Sequence, residues 1–197
     1  MVDIAAAAAA IARGEVVAFP TETFYGLAVD ALNESALSKL RALKGRAAEK
    51  AFSLLVSGRE MLASLCVEIS PTAERLMARY WPGPLTLALP ARPGVPASIV
   101  TEGCVAVRVS PHPLAQALVE SAGRPITATS ANPAGAAPPR TASEVAVYFS
   151  SPRFLILDGG TTPGGQPSTL ARVRGESVQV LRQGAVVLAG ADAGVME

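Results

Sequence analysis

Val105-Ala106-Val107-Arg108-Val109-Ser110-Pro111 opens the most informative stretch of the chain, which runs on to Gly123 and then to Ile126-Thr127-Ala128-Thr129. Val105, Val107 and Val109 alternate with Ala106 and Arg108, the period-two pattern of a strand with one apolar face and a guanidinium on the other. Ser110-Pro111 has the form of a helix N-terminus, and Gly123 that of its stop. Ile126–Thr129 reads as a strand again. Strand, helix and strand in close succession indicate an α/β chain.

The pattern extends in both directions. Upstream, Asp3 caps a helix over Ile4–Arg13 that stops at Gly14, and Glu15–Phe19 is a short apolar strand ended by Pro20. Asn33 caps a helix through Lys44, with Ala36, Leu37, Leu40 and Leu43 on one face and Gly45 closing it. Phe52–Val56 reads as a buried strand, and Ser57-Gly58-Arg59-Glu60 has capping-box spacing. Ser70-Pro71 opens a helix to about Tyr80, and Leu85–Leu89 is a strand after the Trp81-Pro82-Gly83-Pro84 turn. Downstream, Thr141-Ala142-Ser143-Glu144 is a second capping box and Phe154–Leu157 a strand. Thr169–Val173 and Val178–Leu181 form a hairpin through Gly175-Glu176. Alternating strands and helices followed by a hairpin predict a mixed α/β sheet in one domain spanning residues 1–197.

Composition narrows the function. The 197 residues carry 17 Lys+Arg against 16 Asp+Glu, a formal charge of +1, with 50% apolar and 17% charged residues. That excludes a disordered chain and argues against binding nucleic acid through bulk charge. Cys66 and Cys104 form no CxxC pair, and with His112 as the only histidine they cannot make a structural zinc set. Buried thiols in a reducing, cytoplasmic setting are expected. The alanine-rich run Ile4–Ala12 is too short to span a bilayer, so no membrane role is expected.

Several site types are absent. There is no GxxxxGK[ST] and no GxGxxG between a strand and a helix, and a lone His112 between prolines makes no serine triad. Gly159-Gly160 and Gly164-Gly165 flank Thr161-Thr162-Pro163 in what reads as a flexible loop. What remains is a set of polar residues at strand ends. Phe19-Pro20-Thr21-Glu22-Thr23-Phe24-Tyr25-Gly26-Leu27 reads as a polar loop directly after a strand, where open α/β sheets place ligands. The chain's lysines are Lys39, Lys44 and Lys50, and the last two flank Arg46 at a helix end. A helix C-terminus explains Lys44, but Lys50 lies beyond the stop, and the cluster suits a polyphosphate. Arg108 either reaches solvent or holds a carboxylate, and Ser130-Ala131-Asn132 offers hydroxyl and amide groups after a strand.

Taken in order, these motifs resemble the YrdC family. The resemblance rests on Pro20-Thr21-Glu22-Thr23 with Tyr25-Gly26-Leu27, Lys44-Gly45-Arg46 with Lys50, and Trp81-Pro82-Gly83-Pro84-Leu85-Thr86. It continues through Val105–Val109 with His112-Pro113, Ser130-Ala131-Asn132, Pro167-Ser168-Thr169 and Leu181-Arg182-Gln183-Gly184, covering about residues 15–185. It implies a twisted open mixed sheet with helices packed on it. It also implies the reaction of single-domain threonylcarbamoyl-AMP synthases. There L-threonine, bicarbonate and ATP give threonylcarbamoyl-AMP and pyrophosphate, which further proteins use to modify adenosine 37 of tRNA. By that resemblance Thr23, Arg108, Ala128 and Ser168 contact threonine, while Arg46, Lys50, Ser130, Asn132 and Arg182 contact ATP. Lys50, Arg46 and Lys44 are the expected catalytic cations. Mg2+ would arrive with ATP, since no carboxylate cluster declares a protein-built metal site. The chain departs from the family pattern at Ala51-Phe52, Leu55, Cys104 and Pro138.

Two other classes fit less well. An RNA-binding module using the same basic face would need a larger cationic excess than +1, although weak tRNA contact is compatible with the cluster. The related carbamoyl-transfer domain of hydrogenase maturation belongs to chains with zinc-finger and acylphosphatase-like parts.

Overall fold

A computed structural model describes residues 2–45, 51–151 and 154–188. Helix α1 (Ile4–Ala12) begins where Asp3 accepts the Ala6 N–H at 2.8 Å, and ends before Gly14, whose φ of +75° suits a residue without Cβ. Strand β1 (Val17–Pro20) follows, buried throughout. The expected polar loop after it is instead a tight hairpin: the chain reverses over residues 21–24 and returns as β2 (Tyr25–Ala28), with Pro20 opposite Tyr25. Thr21 makes the turn, its hydroxyl donating to Phe24 O at 2.7 Å and accepting the Phe24 N–H at 3.3 Å. A side chain doing the work of backbone bonds reads as a loop in sequence. Helix α2 (Glu34–Lys44) follows its expected cap, Asn33 accepting from Ala36 N–H at 3.1 Å, and Gly45 closes it in the left-handed region.

Next come β3 (Leu54–Leu55), α3 (Arg59–Leu62) and α4 (Pro71–Tyr80). The capping box expected at Ser57–Glu60 does not form, because Gly58 holds the N-cap position with no side-chain hydrogen bond. Ser70 caps α4 as expected, accepting the Ala73 N–H. Strands β4 (Leu85–Pro90), β5 (Val100–Thr101) and β6 (Cys104–Arg108) precede α5 (Pro113–Ala122). The α5 cap is His112 and not Ser110. Pro113, lacking an N–H and with φ already set, takes the first helical position, while the Ser110 hydroxyl turns to Glu22. The chain ends in β7 (Ile126–Thr127), β8 (Thr129–Ser130), α6 (Ala142–Tyr148), β9 (Leu155–Ile156), β10 (Thr169–Arg174) and β11 (Ser177–Arg182). Thr141 caps α6 and accepts the Glu144 N–H, and β10 and β11 pair as the expected hairpin.

The strands divide into two ladders, one in the order β8-β2-β1-β9 and one in the order β11-β10-β4-β6-β3-β7, with β5 beside β6. The segment expected as one strand at 126–129 is the crossing between them. Thr127 pairs with Leu54 in one ladder, and Thr129 pairs with Leu27 in the other. The buried Thr127 hydroxyl stitches the two, donating to Leu27 O at 2.9 Å and accepting the Val29 N–H at 3.0 Å. Helices cover both faces, so neighbouring strand residues enter different cores. Ala18 and Leu54 pack with Leu37, Leu40, Leu87 and Val107, whereas Phe19 and Leu55 pack with Ile11 and Leu118 of α1 and α5. Two-sided burial explains why these strands read as continuous apolar runs. Among the described residues, no helix is long and apolar enough to cross a membrane.

Candidate functional site

The crossing at Ala128 opens a cleft of about 170 Å3. One wall is the β1–β2 turn with Thr21 and Thr23, another the Ala128–Ser130 crossing, and the floor is made by the ends of β4 and β6 with Pro167-Ser168 and Arg182. Thr23, Arg108, Ala128, Ser130, Ser168 and Arg182, each expected at a binding site, therefore line one space. Strands that end together bring residues far apart in sequence to one place.

Arg108 is only 7% exposed, on the face of β6 opposite the Val105 and Val107 core. Its Nη1 pairs with Glu22 Oε1, and the Ser110 hydroxyl donates to the other carboxylate oxygen. Burial pushes the Arg108 pKa below its ordinary value; Glu22 opposes that shift, and Arg182 adds to it. A buried guanidinium needs such a partner, because an unpaired charge at this depth would be strongly destabilising. Arg182 is likewise held below its ordinary pKa by burial.

Ser168 Oγ lies 2.8 Å from Thr86 Oγ1, and Arg182 Nη2 donates to the Ser168 carbonyl at 2.9 Å. Close backbone packing sets this corner. A Cβ on Gly184 would stand 2.2 Å from the Pro167 carbonyl oxygen, so only glycine lets the segment after β11 lie against Pro167-Ser168. The fully buried Thr169 pins the same segment, donating to Val186 O at 2.6 Å and accepting the Gly184 N–H at 3.0 Å.

The segment 159–165, read from its glycines as a flexible loop, is tied down at defined points. Gly164 N–H donates to Thr23 O at 2.7 Å. The Tyr25 hydroxyl, raised in pKa by burial, accepts the Gly159 N–H and donates to Gly160 O at 2.9 Å. The turn that carries Thr23 is thereby held from behind.

Of the two lysines expected among the catalytic cations, Lys44 sits outside the cleft. Lys44 is 4% exposed and does not line the cleft; its ammonium donates to the backbone carbonyls of Ser130 and Asn132 at 2.5 and 2.6 Å. Asn132 does not line it either. Its amide nitrogen donates to Ala136 O at 2.6 Å, while its Oδ1 is buried with no partner among the described residues. Lys44 and Asn132 thus shape the loop that presents Ser130. Arg46 and Lys50 lie outside the described residues. Cys104 is buried opposite Pro90 at the far end of β6 and does not line the cleft. Thr86, the one hydroxyl in the Leu85–Leu89 apolar run, was not singled out as a contact yet lines the cleft, and Glu22, flanked by two threonines, stands outside the lining against Arg108.

Among the described residues, no group of three or more His, Cys, Asp and Glu side chains is placed to hold a metal ion. Glu22, the carboxylate on Arg108, already engages Arg108 and Ser110. These residues do not fit a protein-built Mg2+ site. The chemistry the cleft offers is two guanidiniums, several hydroxyls and close backbone, a set suited to anions and small polar ligands.

Residues 9–184 match the Sua5_yciO_yrdC family model, described as "Telomere recombination". The threonylcarbamoyl-AMP synthase of Pyrococcus abyssi is 42% identical over 92% of this chain and 54% of that protein. The threonylcarbamoyl-AMP synthase of Vibrio cholerae is 38% identical over 89% of this chain and 94% of that protein. The crystal structure of P. abyssi Sua5 complexed with L-threonine matches with a TM-score of 0.87 over 92% of this chain and 54% of that one. The chain spans about half the length of the Pyrococcus relative it matches.

Proposed function

Because the chain belongs to the Sua5–YciO–YrdC family, we propose that it is a threonylcarbamoyl-AMP synthase, a nucleotidyltransferase acting on L-threonine, bicarbonate and MgATP. Its products are threonylcarbamoyl-AMP, pyrophosphate and water. The observation that carries this reading is the convergence of Arg108, Ser168, Thr23 and Ala128 with Ser130 and Arg182 on one cleft.

Threonine's amine must first become a carbamate, whose oxygen then attacks the α-phosphorus of ATP and expels pyrophosphate. That step gathers anions, so it calls for fixed cations and oriented donors more than for a covalent nucleophile. Arg108 neutralises the threonine carboxylate, with Ser168, Thr23 and the Ala128 backbone completing its contacts. Ser130 and Arg182 contact the nucleotide, and by the family resemblance Arg46 and Lys50 supply cations that offset the triphosphate. Lys44 and Asn132 act as positioning residues by holding the Ser130 loop. Mg2+ enters with ATP as part of the substrate. Downstream proteins that transfer the threonylcarbamoyl group to tRNA consume the product in the cytoplasm.

No feature of the described cleft favours the RNA-binding alternative: its lining carries two cations, Arg108 and Arg182, and Arg108 is already paired with Glu22. The reading is tested by following pyrophosphate release from MgATP in bicarbonate buffer. Release that depends on L-threonine supports the synthase, and release that ignores it contradicts it.

A further inference from the structure

Glu22 has no role in the reaction as proposed, yet it holds the one group, Arg108, on which binding of the amino-acid carboxylate depends. It stands in the β1–β2 turn between Thr21 and Thr23, both on the cleft wall, with its side chain 14% exposed. One carboxylate oxygen pairs with Arg108 and the other accepts from Ser110, whose hydroxyl also accepts the His112 N–H at 3.2 Å.

The residues lining the cleft carry the guanidiniums of Arg108 and Arg182 and no carboxylate. A site with only those charges would take any small carboxylate and would repel the ammonium group of an amino acid. Glu22, in contact with Arg108, is the negative charge that offsets this repulsion. His112 also feels Glu22, but burial keeps it towards the neutral form. An arginine on the cleft with a glutamate against it suits an α-amino-acid zwitterion, the carboxylate bound by Arg108 and the nearby ammonium stabilised by the charge of Glu22.

We propose that Glu22 is the specificity-determining residue that restricts this cleft to α-amino-acid zwitterions: from outside the lining it holds Arg108 for the carboxylate and supplies the negative charge that offsets repulsion of the ammonium. The assignment rests on the threonylcarbamoyl-AMP synthase reading.

The test compares two ligands on the full chain by calorimetry: L-threonine, and its 2-hydroxy analogue in which a hydroxyl replaces the amine. Wild-type protein should prefer L-threonine. Glu22→Gln keeps the size and hydrogen-bonding shape but removes the charge, and should weaken L-threonine at least about tenfold while changing the hydroxy acid less than about threefold. Ser110→Ala keeps the charge but loosens the turn, and should preserve the preference. Loss of preference in Ser110→Ala equal to that in Glu22→Gln would assign the effect to turn geometry and overturn the proposal. Equal loss of both ligands in Glu22→Gln, or no loss of either, would also overturn it. Wild-type protein that fails to bind L-threonine would overturn the synthase reading and this assignment with it; wild-type binding with an insensitive Glu22→Gln overturns this assignment alone.

Discussion

The hydroxyl of Ser168 lies 2.8 Å from that of Thr86, joining the approach to β10 with its parallel neighbour β4 in the floor of the cleft. Each hydroxyl therefore fixes the orientation of the other in the floor of the cleft. Thr86→Val removes the partner without changing volume and should raise the threonine KM by about 2- to 10-fold, the worth of one neutral hydrogen bond. Its kcat should stay near wild type, as steady-state kinetics with each substrate varied in turn would show.

Arg108 and Glu22 depend on one another. Arg108→Met leaves the Glu22 carboxylate without its cation and should lower stability by about 3–5 kcal/mol. The double variant Arg108→Met with Glu22→Gln should recover most of that loss in denaturant unfolding while still failing to bind threonine. Stability that does not recover would mean the pair is not the cause.

Lys44 separates support from chemistry. Lys44→Met leaves the carbonyls of Ser130 and Asn132 without their cation and should cost about 1–3 kcal/mol of stability, with the ATP KM rising more than the threonine KM. A large fall in kcat at unchanged stability would instead return Lys44 to the catalytic set.

These variants mark where sequence was readable. The helix starts at Asp3, Asn33, Ser70 and Thr141 were legible because a cap is a local bond to the N–H three residues on. The mixed α/β class followed from that punctuation. Strand β2 was hidden because Thr21 closes its hairpin with a side chain, so the turn looked like an open loop. The split at Ala128 is invisible locally, since it is imposed by partners in two different ladders. Lys44 looked like a phosphate cation because its carbonyl partners lie 86 and 88 residues away, and Glu22 went unassigned because Arg108 is 86 residues from it. The cleft residues themselves were found through ordered motifs.

Gly184 should tolerate no side chain. Gly184→Ala places a Cβ against the Pro167 and Ser168 carbonyls, which are backbone and cannot swing aside. Overpacking of this kind costs about 1–3 kcal/mol and should shift Ser168 and Arg182 enough to weaken both substrates. Thermal unfolding and substrate titration check it together.

His112 gives a pH signature. Burial depresses its pKa in the folded chain below the ordinary 6.5, with Glu22 opposing. The unfolded chain then takes up the proton first, so the stability contributed by neutral His112 is complete above pH 6.5 and falls as the pH drops through and below it. His112→Gln should flatten that part of the stability curve. An unchanged curve would place the acid sensitivity elsewhere.

Mass spectrometry of the product formed from MgATP, L-threonine and 13C-labelled bicarbonate decides whether the protein makes the adenylate. Threonylcarbamoyl-AMP carrying the 13C label in its carbamoyl carbon should form with an equal amount of pyrophosphate and be absent when threonine is omitted. ATP left intact, or cleaved without a labelled threonine-dependent adenylate, would contradict the synthase reading.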